Sequence, residues 1–321
     1  RQLVRLFLVQ WSFPCSRISC NFSTRNLGVI IHINLKQKLF FYPVFLAVFI
    51  ALDCSATRPA TDAKEQNVDY LITQGKQYWD QRTDSTSLMN ADHFIRLAHE
   101  QRPQDFDLAV LYGRILYTRG LFFEKDEKTQ DDLFIKGLQI CRDAVMEHPD
   151  FSPIYERSQG DTTFKLLAAI VDAPKSIVPG LFWWATNLAR HLNSKPVVER
   201  LNHRELIEVM MHRIISLDPG FHYSGPYRFF GSMYTRIPGV ELSQSETYFN
   251  QALSANPKYL GNAVHMAEFY HQKAGNREQF HSILQEVIAV DPTIHPEIMG
   301  ENLFYQGRAK LLLSRESSLF E

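Results

Sequence analysis

One short boundary motif, called a mark below, recurs along the chain and limits what the chain can fold into. An apolar segment ends at Asp or Asn, a Pro follows, and an apolar residue soon opens the next segment. The mark is clearest at Asp218-Pro219, Asn256-Pro257 and Asp291-Pro292, whose prolines lie 38 and 35 residues apart. His148-Pro149 repeats it 70 residues before Pro219, about two such periods, and Arg102-Pro103 is a further candidate. Because Pro disfavours helical backbone at the residue before it, each mark predicts a helix boundary.

The segments between the marks have the apolar spacing of helices. In 276–290, Asn276 is a good N-cap, with Gln279 three residues later. One buried face then follows the i, i+3, i+4, i+7, i+8 pattern, formed by Phe280, Ile283, Leu284, Val287 and Ile288. We predict another helix over about 258–273 and one that opens with a capping box at Ser243 and Glu246. No run shows sustained strand alternation, so the sequence predicts an all-α fold.

A helical period near 34 residues is the tetratricopeptide signature, here in degenerate form. Such a unit cannot bury its apolar face alone, so neighbouring units stack into a superhelix with a concave surface. The sequence therefore predicts a tetratricopeptide-like helical-repeat domain, an α-solenoid, over residues 67–321. The period is interrupted between Phe151 and Leu217, and the insertion at 158–195 contains a pair of adjacent tryptophans. We expect function to be added at such an insertion.

The head of the chain differs from the body in charge and pattern. Residues 1–53 hold six basic residues and one acid, and the remainder, with 28 basic and 34 acidic residues, has a net charge of −6. The first methionine is Met89, and residues 1–34 have no clear period; we interpret them as a segment upstream of a start near Leu35. Residues 35–54 combine Lys36 and Lys38 with an uncharged stretch from Leu39 to Leu52, which predicts a signal peptide.

Cys54 is the predicted lipid-attachment site. It follows the signal where a bacterial lipoprotein cysteine stands, and the polar stretch 55–66 reads as a tether behind it. Asp53 is a departure from the usual pattern, which has a small residue directly before the cysteine. The alternatives are cleavage near Ala56, which would release a free periplasmic protein, or an uncleaved anchor. The prediction is a periplasmic protein held at the membrane by a lipid on Cys54.

Composition and motifs exclude several classes of protein. The formal net charge of −1 argues against a nucleic-acid partner, and four cysteines are too few for a disulfide scaffold. The chain has no H-E-x-x-H, C-x-x-C, G-x-S-x-G, Walker or G-x-G-x-x-G motif. The sequence therefore predicts no catalytic residues, no metal site and no cofactor, and a protein that is not an enzyme. A hydrolase on a helical scaffold remains the less favoured alternative.

Two segments supply the candidate ligand-binding residues. In 181–190, Trp183 and Trp184 point about 100° apart on a helix, and Asn187 lies about one turn further on. One Trp could line a cavity with Asn187 as a polar partner, or both could pack between helices. In 225–231, Pro226 suits a first helical turn and brings Tyr227 and Arg228 near the start of a helix. Arg228 could bind an anionic group in the groove, or it could cap a neighbouring helix.

Five motifs follow one another along the chain: Phe-Trp-Trp-Ala-Thr-Asn-Leu (182–188), Leu-Asp-Pro-Gly-Phe (217–221), Gly-Pro-Tyr-Arg-Phe-Phe-Gly (225–231), Glu-Thr-Tyr-Phe-Asn-Gln-Ala-Leu-Ser-Ala-Asn-Pro-Lys-Tyr-Leu (246–260) and a closing Glu-Asn-Leu helix with Arg-Ala (301–313). This ordered set resembles the TatT family, the T components of tripartite ATP-independent periplasmic (TRAP) transporters. The similarity covers about 65–315 and is strongest from 180 onward. The lipoprotein box and the head of the chain depart from the family pattern.

The resemblance implies a non-enzymatic periplasmic lipoprotein with tetratricopeptide-like repeats that forms a homotrimer. It also implies that a cavity in each protomer faces a solute-binding P component, and that a hydrophobic or carboxylate ligand passes through it. On this reading Trp183, Trp184, Asn187, Tyr227 and Arg228 line the cavity. The alternative is a generic tetratricopeptide scaffold for envelope assembly that binds no ligand.

Overall fold

The computed structural model describes residues 60–321 except Pro238, with side chains from Lys64 onward. These residues belong to one structural unit. Its α-helices are α1 (Ala60–Asp80), α2 (Ser85–Gln101), α3 (Phe106–Thr118), α4 (Glu127–Glu147), α5 (Ser152–Arg157), α6 (Thr162–Val171), α7 (Val178–Leu192), α8 (Val197–Asn202), α9 (Arg204–Leu217), α10 (Phe221–Tyr234), α11 (Leu242–Ala255), α12 (Leu260–His265), α13 (Arg277–Ala289), α14 (Met299–Ser314) and α15 (Glu316–Leu319). The predicted all-α class is confirmed for this part of the chain; Cys54 and the predicted signal lie outside the described residues.

Each of the boundary marks predicted from the sequence lies at the end of a helix. α9 ends just before Asp218-Pro219, α11 just before Asn256-Pro257, and α13 shortly before Asp291-Pro292. The same holds at the ends of α2 and α4. Several helices begin with an Asp or Asn whose side chain accepts a hydrogen bond from a first-turn amide, as expected for N-caps; these caps are Asp84, Asp105, Asp126, Asp161 and Asn276.

Two predicted helix starts differ from the structure. α11 begins at Leu242 after Glu241, with no side-chain cap, so the capping box predicted at Ser243 is wrong. α1 begins at Ala60, inside the stretch expected to be a tether. The predicted helix over 258–273 is present, but it consists of α12 followed by a π-helical segment at Met266–His271. The solenoid character of the array stays a prediction.

α7 is the central helix of the described unit. It packs against α3, α4 and α9, and 11 of its 15 residues are buried. The helix is apolar on several faces because several faces are buried, as in the core helices of globular proteins. Among the described residues no single helix is long and apolar enough to cross a membrane. The segments Thr162–Val171 and Lys175–Leu192 are long and apolar enough only when taken together, and they are bent by 108° at the break between them.

A buried ion-pair network connects the beginning and the end of the helical array. Arg82 lies in the turn after α1, and its Nη2 is 2.6 Å from Oε2 of Glu301 on α14. Arg114 on α3 donates from Nη2 to Oε1 of the same carboxylate at 3.0 Å. Trp79 lies against both guanidinium groups. This network therefore joins the turn after α1 and helix α3 to helix α14.

Candidate ligand cavity

A cavity of about 420 Å³ lies between α3, α7, α8, α9, α10, α12 and α14. This volume falls within the range of roughly 300–1,000 Å³ that small-molecule sites usually have. Apolar and aromatic side chains form most of its wall, among them Phe182, Trp183, Ile207, Phe229, Met233 and Tyr305. Its charged groups are mainly basic and its other polar groups are hydroxyl, amide and imidazole side chains, so the cavity resembles a site that orients a small molecule rather than a packing defect.

Two π-helical segments each contribute an aromatic side chain to the wall. α3 continues into a π-helix at Arg119–Phe123, which brings Phe122 to the cavity. α12 continues into the π-helix at Met266–His271, which brings Phe269 there. The wider turn of a π-helix rotates the side chains that follow it, and such segments occur often at functional sites. Both interruptions therefore shape the same wall.

A strained turn in α10 supplies another part of the wall. His222, Tyr223 and Ser224 have φ of 46°, 56° and 59°, one turn of left-handed helix made by residues that carry Cβ atoms. Each costs roughly 1–2 kcal/mol relative to right-handed helix. The right-handed helix resumes at Gly225, so Pro226 occupies its first turn, as the sequence predicts. The turn brings the His222 ring to 4.9 Å from the Trp183 ring.

Contacts from α11 and α12 hold this turn in place. Ser224 Oγ accepts a hydrogen bond from Asn256 Nδ2 at 2.6 Å. The carbonyl of Tyr223 accepts from Arg228 Nη1 and from Asn262 Nδ2, each at 3.3 Å. The Tyr223 ring stacks on Tyr259 with centroids 5.0 Å apart. Strain that persists because its surroundings fix it is typical of binding and switch sites.

The charged groups of the cavity are mainly arginines. Six line it: Arg114, Arg190, Arg200, Arg204, Arg228 and Arg236. Among the described lining residues Glu301 is the one acid, and two arginines already share it. Arg228 is buried and donates from Nη1 to Asn262 Oδ1 at 2.7 Å, with its guanidinium over the Tyr259 ring. The cavity therefore favours an anion over a cation.

The histidines of the wall do not add to this charge. Burial, followed by the charges of Arg114 and Arg228, lowers the pKa of His222 well below its ordinary value. Burial, followed by Arg228 and Arg190, does the same to the pKa of His265. Both rings are therefore neutral at pH 7. Burial also raises the pKa of Tyr259 well above its ordinary value, so this phenol keeps its proton.

The sequence-predicted residues fall into two groups. Trp183 and Arg228 line the cavity. Trp184 lies in the core cluster around α7, and Tyr227 packs near Tyr248 on α11; neither belongs to the lining. Asn187 is fully buried, and its Nδ2 donates to the carbonyls of Gly113 and Trp183, away from the cavity.

Several lining residues have no place in the sequence prediction. On α7, Thr186 and Arg190 follow Trp183 at i+3 and i+7, so they share its face. Helical spacing from Trp183 could have found both. Arg236 and His222 carry no comparable signal, because one lies beyond the end of α10 and the other depends on the left-handed turn.

The fold and the cavity together define an all-helical protein built around an arginine-rich internal site. Within the described residues no group of three or more His, Cys, Asp or Glu is arranged to hold a metal ion. The sequence model of the TatT family, described as TRAP transporter T-component, matches residues 99–320, more than half of the chain. The chain belongs to this family, which confirms the resemblance found in the motifs. It is therefore an accessory component of the TRAP transporter type, a class not known as enzymes. No curated protein matches the chain.

Proposed function

We propose that this protein serves a TRAP-type uptake system in the periplasm, where it docks the solute-binding P component and binds a small organic anion in its cavity. The observation that carries the proposal is the combination of a largely apolar wall with six arginines and one shared glutamate. An apolar solute with one carboxylate satisfies both kinds of surface, because guanidinium groups bind carboxylates in paired geometry.

Trp183 and Arg228 are the predicted residues that support ligand binding directly. Trp183 supplies an aromatic side chain for contact with an apolar ligand, and Arg228 supplies a buried positive charge held by Asn262. Trp184, Asn187 and Tyr227 fit a supporting role, since Asn187 fixes α7 against the carbonyl of Gly113 on α3. The proposal therefore assigns ligand contact to the first two and positioning to the other three.

Partner binding is tested with purified components. The full chain is mixed with the purified solute-binding protein of the same transport system and analysed by sedimentation velocity. Formation of a complex supports the proposal, and its absence with the solute loaded and unloaded contradicts it. Sedimentation of the protein alone tests the predicted homotrimer. If the protein binds neither this partner nor any small anion, the generic scaffold becomes the better account.

Lipid anchoring is a separate proposal, because Cys54 lies outside the described residues. Expression of the whole chain with Cys54→Ala, followed by membrane fractionation, tests it. Attachment through Cys54 predicts that the wild type fractionates with membranes and that the variant does not. Mass spectrometry of the mature N-terminus distinguishes a lipidated cysteine from cleavage near Ala56.

A further inference from the structure

The arginines of the cavity differ in how well they are paired. Arg114 is 3.0 Å from Glu301, and Arg204 is 2.9 Å from Glu208. By contrast, the ion pairs among the described residues include no acid within 4 Å of Arg190, Arg200, Arg228 or Arg236. Arg200 and Arg236 are exposed and Arg190 is partly buried. The part of the cavity that these three residues line, called the rim below, is therefore locally cationic.

Arg190 and Arg236 form the centre of this rim. Arg190 lies at the end of α7, half-buried, and its Nε donates to the hydroxyl of Tyr117 at 3.4 Å. Arg236 lies just beyond α10 and donates from Nη1 to Asn193 Oδ1 at 2.9 Å. Burial and then the charge of Arg190 lower the pKa of Arg236, which indicates that the two guanidinium groups repel each other. Glu268, the nearby acid, is engaged by Arg308.

The wall inward of the rim is apolar. It is formed by Phe182, Trp183, Leu192, Ile207, Phe229 and Met233. The inner end holds neutral His222 and His265 and the protonated Tyr259. Arg228 also lies there, but it is buried and its Nη1 donates to two neutral oxygens of the protein. Three of the four cavity arginines that lack an acidic partner therefore lie at the rim, and the fourth, Arg228, lies at the inner end, where two neutral oxygens accept its hydrogen bonds.

We propose that Arg190 and Arg236 bind the head of an aliphatic monocarboxylate whose chain extends into the cavity against Trp183. A carboxylate between two guanidinium groups relieves their repulsion and accepts hydrogen bonds from both. The cavity volume of about 420 Å³ leaves room for the chain, since a cavity of about 150 Å³ already binds benzene. This inference rests on the proposed function and adds the orientation and chemical class of the ligand.

Calorimetric titration of the full chain with octanoate, octan-1-ol and octylammonium tests the proposal. The variants are Arg190→Gln and Arg236→Gln, with Arg157→Gln on the exposed surface of α5 as the matched control. We expect each rim variant to weaken octanoate binding roughly ten- to a hundredfold, the range of one charge-assisted hydrogen bond. Octanol binding should change by no more than about twofold, Arg157→Gln should match the wild type, and octylammonium should not bind.

Two further variants keep the result unambiguous. Arg236→Lys should retain part of the octanoate affinity, because it keeps the charge and loses the paired geometry. If both rim variants bind octanoate like the wild type while Arg228→Gln loses it, the head lies at the inner end and the inference is overturned. If the wild type binds octanol and octylammonium as well as octanoate, the cavity does not select a carboxylate and the inference also fails. If the wild type binds none of the three probes, the proposed ligand function itself fails.

Discussion

Replacement of Glu301 by Gln should destabilise the protein more than any change to an exposed ion pair. The Glu301 side chain is only 6% exposed and lies against Arg82, itself 7% exposed, and Arg114. Its oxygens accept from Arg82 Nη2 at 2.6 Å, from Arg82 Nε at 3.2 Å and from Arg114 Nη2 at 3.0 Å. Glutamine removes the charge and replaces one acceptor with an NH₂ group that faces a guanidinium donor.

The size of the effect follows from what remains after the change. Two guanidinium groups stay at the site without an anion, and breaking a buried pair in this way typically costs about 3–5 kcal/mol. For a protein of this size each kcal/mol lowers the melting temperature by about 2–4 °C. We therefore expect Glu301→Gln to melt roughly 6–20 °C below the wild type at pH 7.

The effect should also depend on pH. Burial opposes ionisation of Glu301, but Arg82 and Arg114 outweigh it and lower the pKa of the carboxyl below its ordinary value of 4.5. A carboxyl with a lowered folded pKa contributes its full stabilisation above the unfolded pKa and loses it as the pH falls through the folded pKa. The difference between wild type and Glu301→Gln should therefore be constant from pH 5 to 8 and shrink at more acid pH.

Thermal unfolding followed by circular dichroism measures this difference. Glu297→Gln is the matched control, because Glu297 pairs with Lys258 at 2.9 Å on the exposed surface, where such pairs contribute about 0–1 kcal/mol. Equal melting temperatures for the two variants, or a difference that does not shrink in acid, would refute the assignment of a stabilising buried network at Glu301.

Three further changes test other parts of the cavity and of the fold around it. Gly225→Ala places a Cβ 2.6 Å from Cζ of Phe182; we expect a loss of about 1–3 kcal/mol in urea unfolding and a narrower cavity. His222→Gln removes a group whose pKa is lowered first by burial and then by three guanidinium charges. The free energy of unfolding of the wild type should therefore fall as the pH drops below 6.5, by up to about 1.4 kcal/mol per pH unit. Thermal unfolding at the same pH values should show a smaller decrease for the variant. Asn302→Ala removes the acceptor for the Leu260 amide at 3.0 Å, and unfolding should show a loss of about 1–3 kcal/mol; a loss below 0.5 kcal/mol would contradict this.

Local signals in the sequence predict the helices well. The N-cap at Asn276 and the apolar face behind it predict a helix over 276–290, and α13 spans Arg277–Ala289. The Pro marks coincide with helix ends because a single residue fixes backbone angles without help from distant parts of the chain. The family motifs around Trp183 and Arg228 likewise lie in the two helices that contribute most to the cavity.

The lining of the cavity depends on contacts that are distant in sequence. Asn187 is one helical turn from Trp183, yet its side chain is directed to Gly113, 74 residues away. Arg82 and Glu301 are separated by 219 residues, and only the packing of segments distant in sequence brings them together. Neither pairing has a local sequence signal. Helical spacing from Trp183 therefore predicts Asn187 in the cavity wall and predicts no role for Glu301.

The left-handed turn is the feature that links strain, packing and the cavity most directly. His222, Tyr223 and Ser224 together cost roughly 3–6 kcal/mol in backbone energy, and no glycine relieves it. A right-handed continuation would rotate these side chains away from their present partners, which are the Trp183 ring, the Tyr259 ring and Asn256. The strain is thus offset by the contacts that hold His222 in the wall of the cavity.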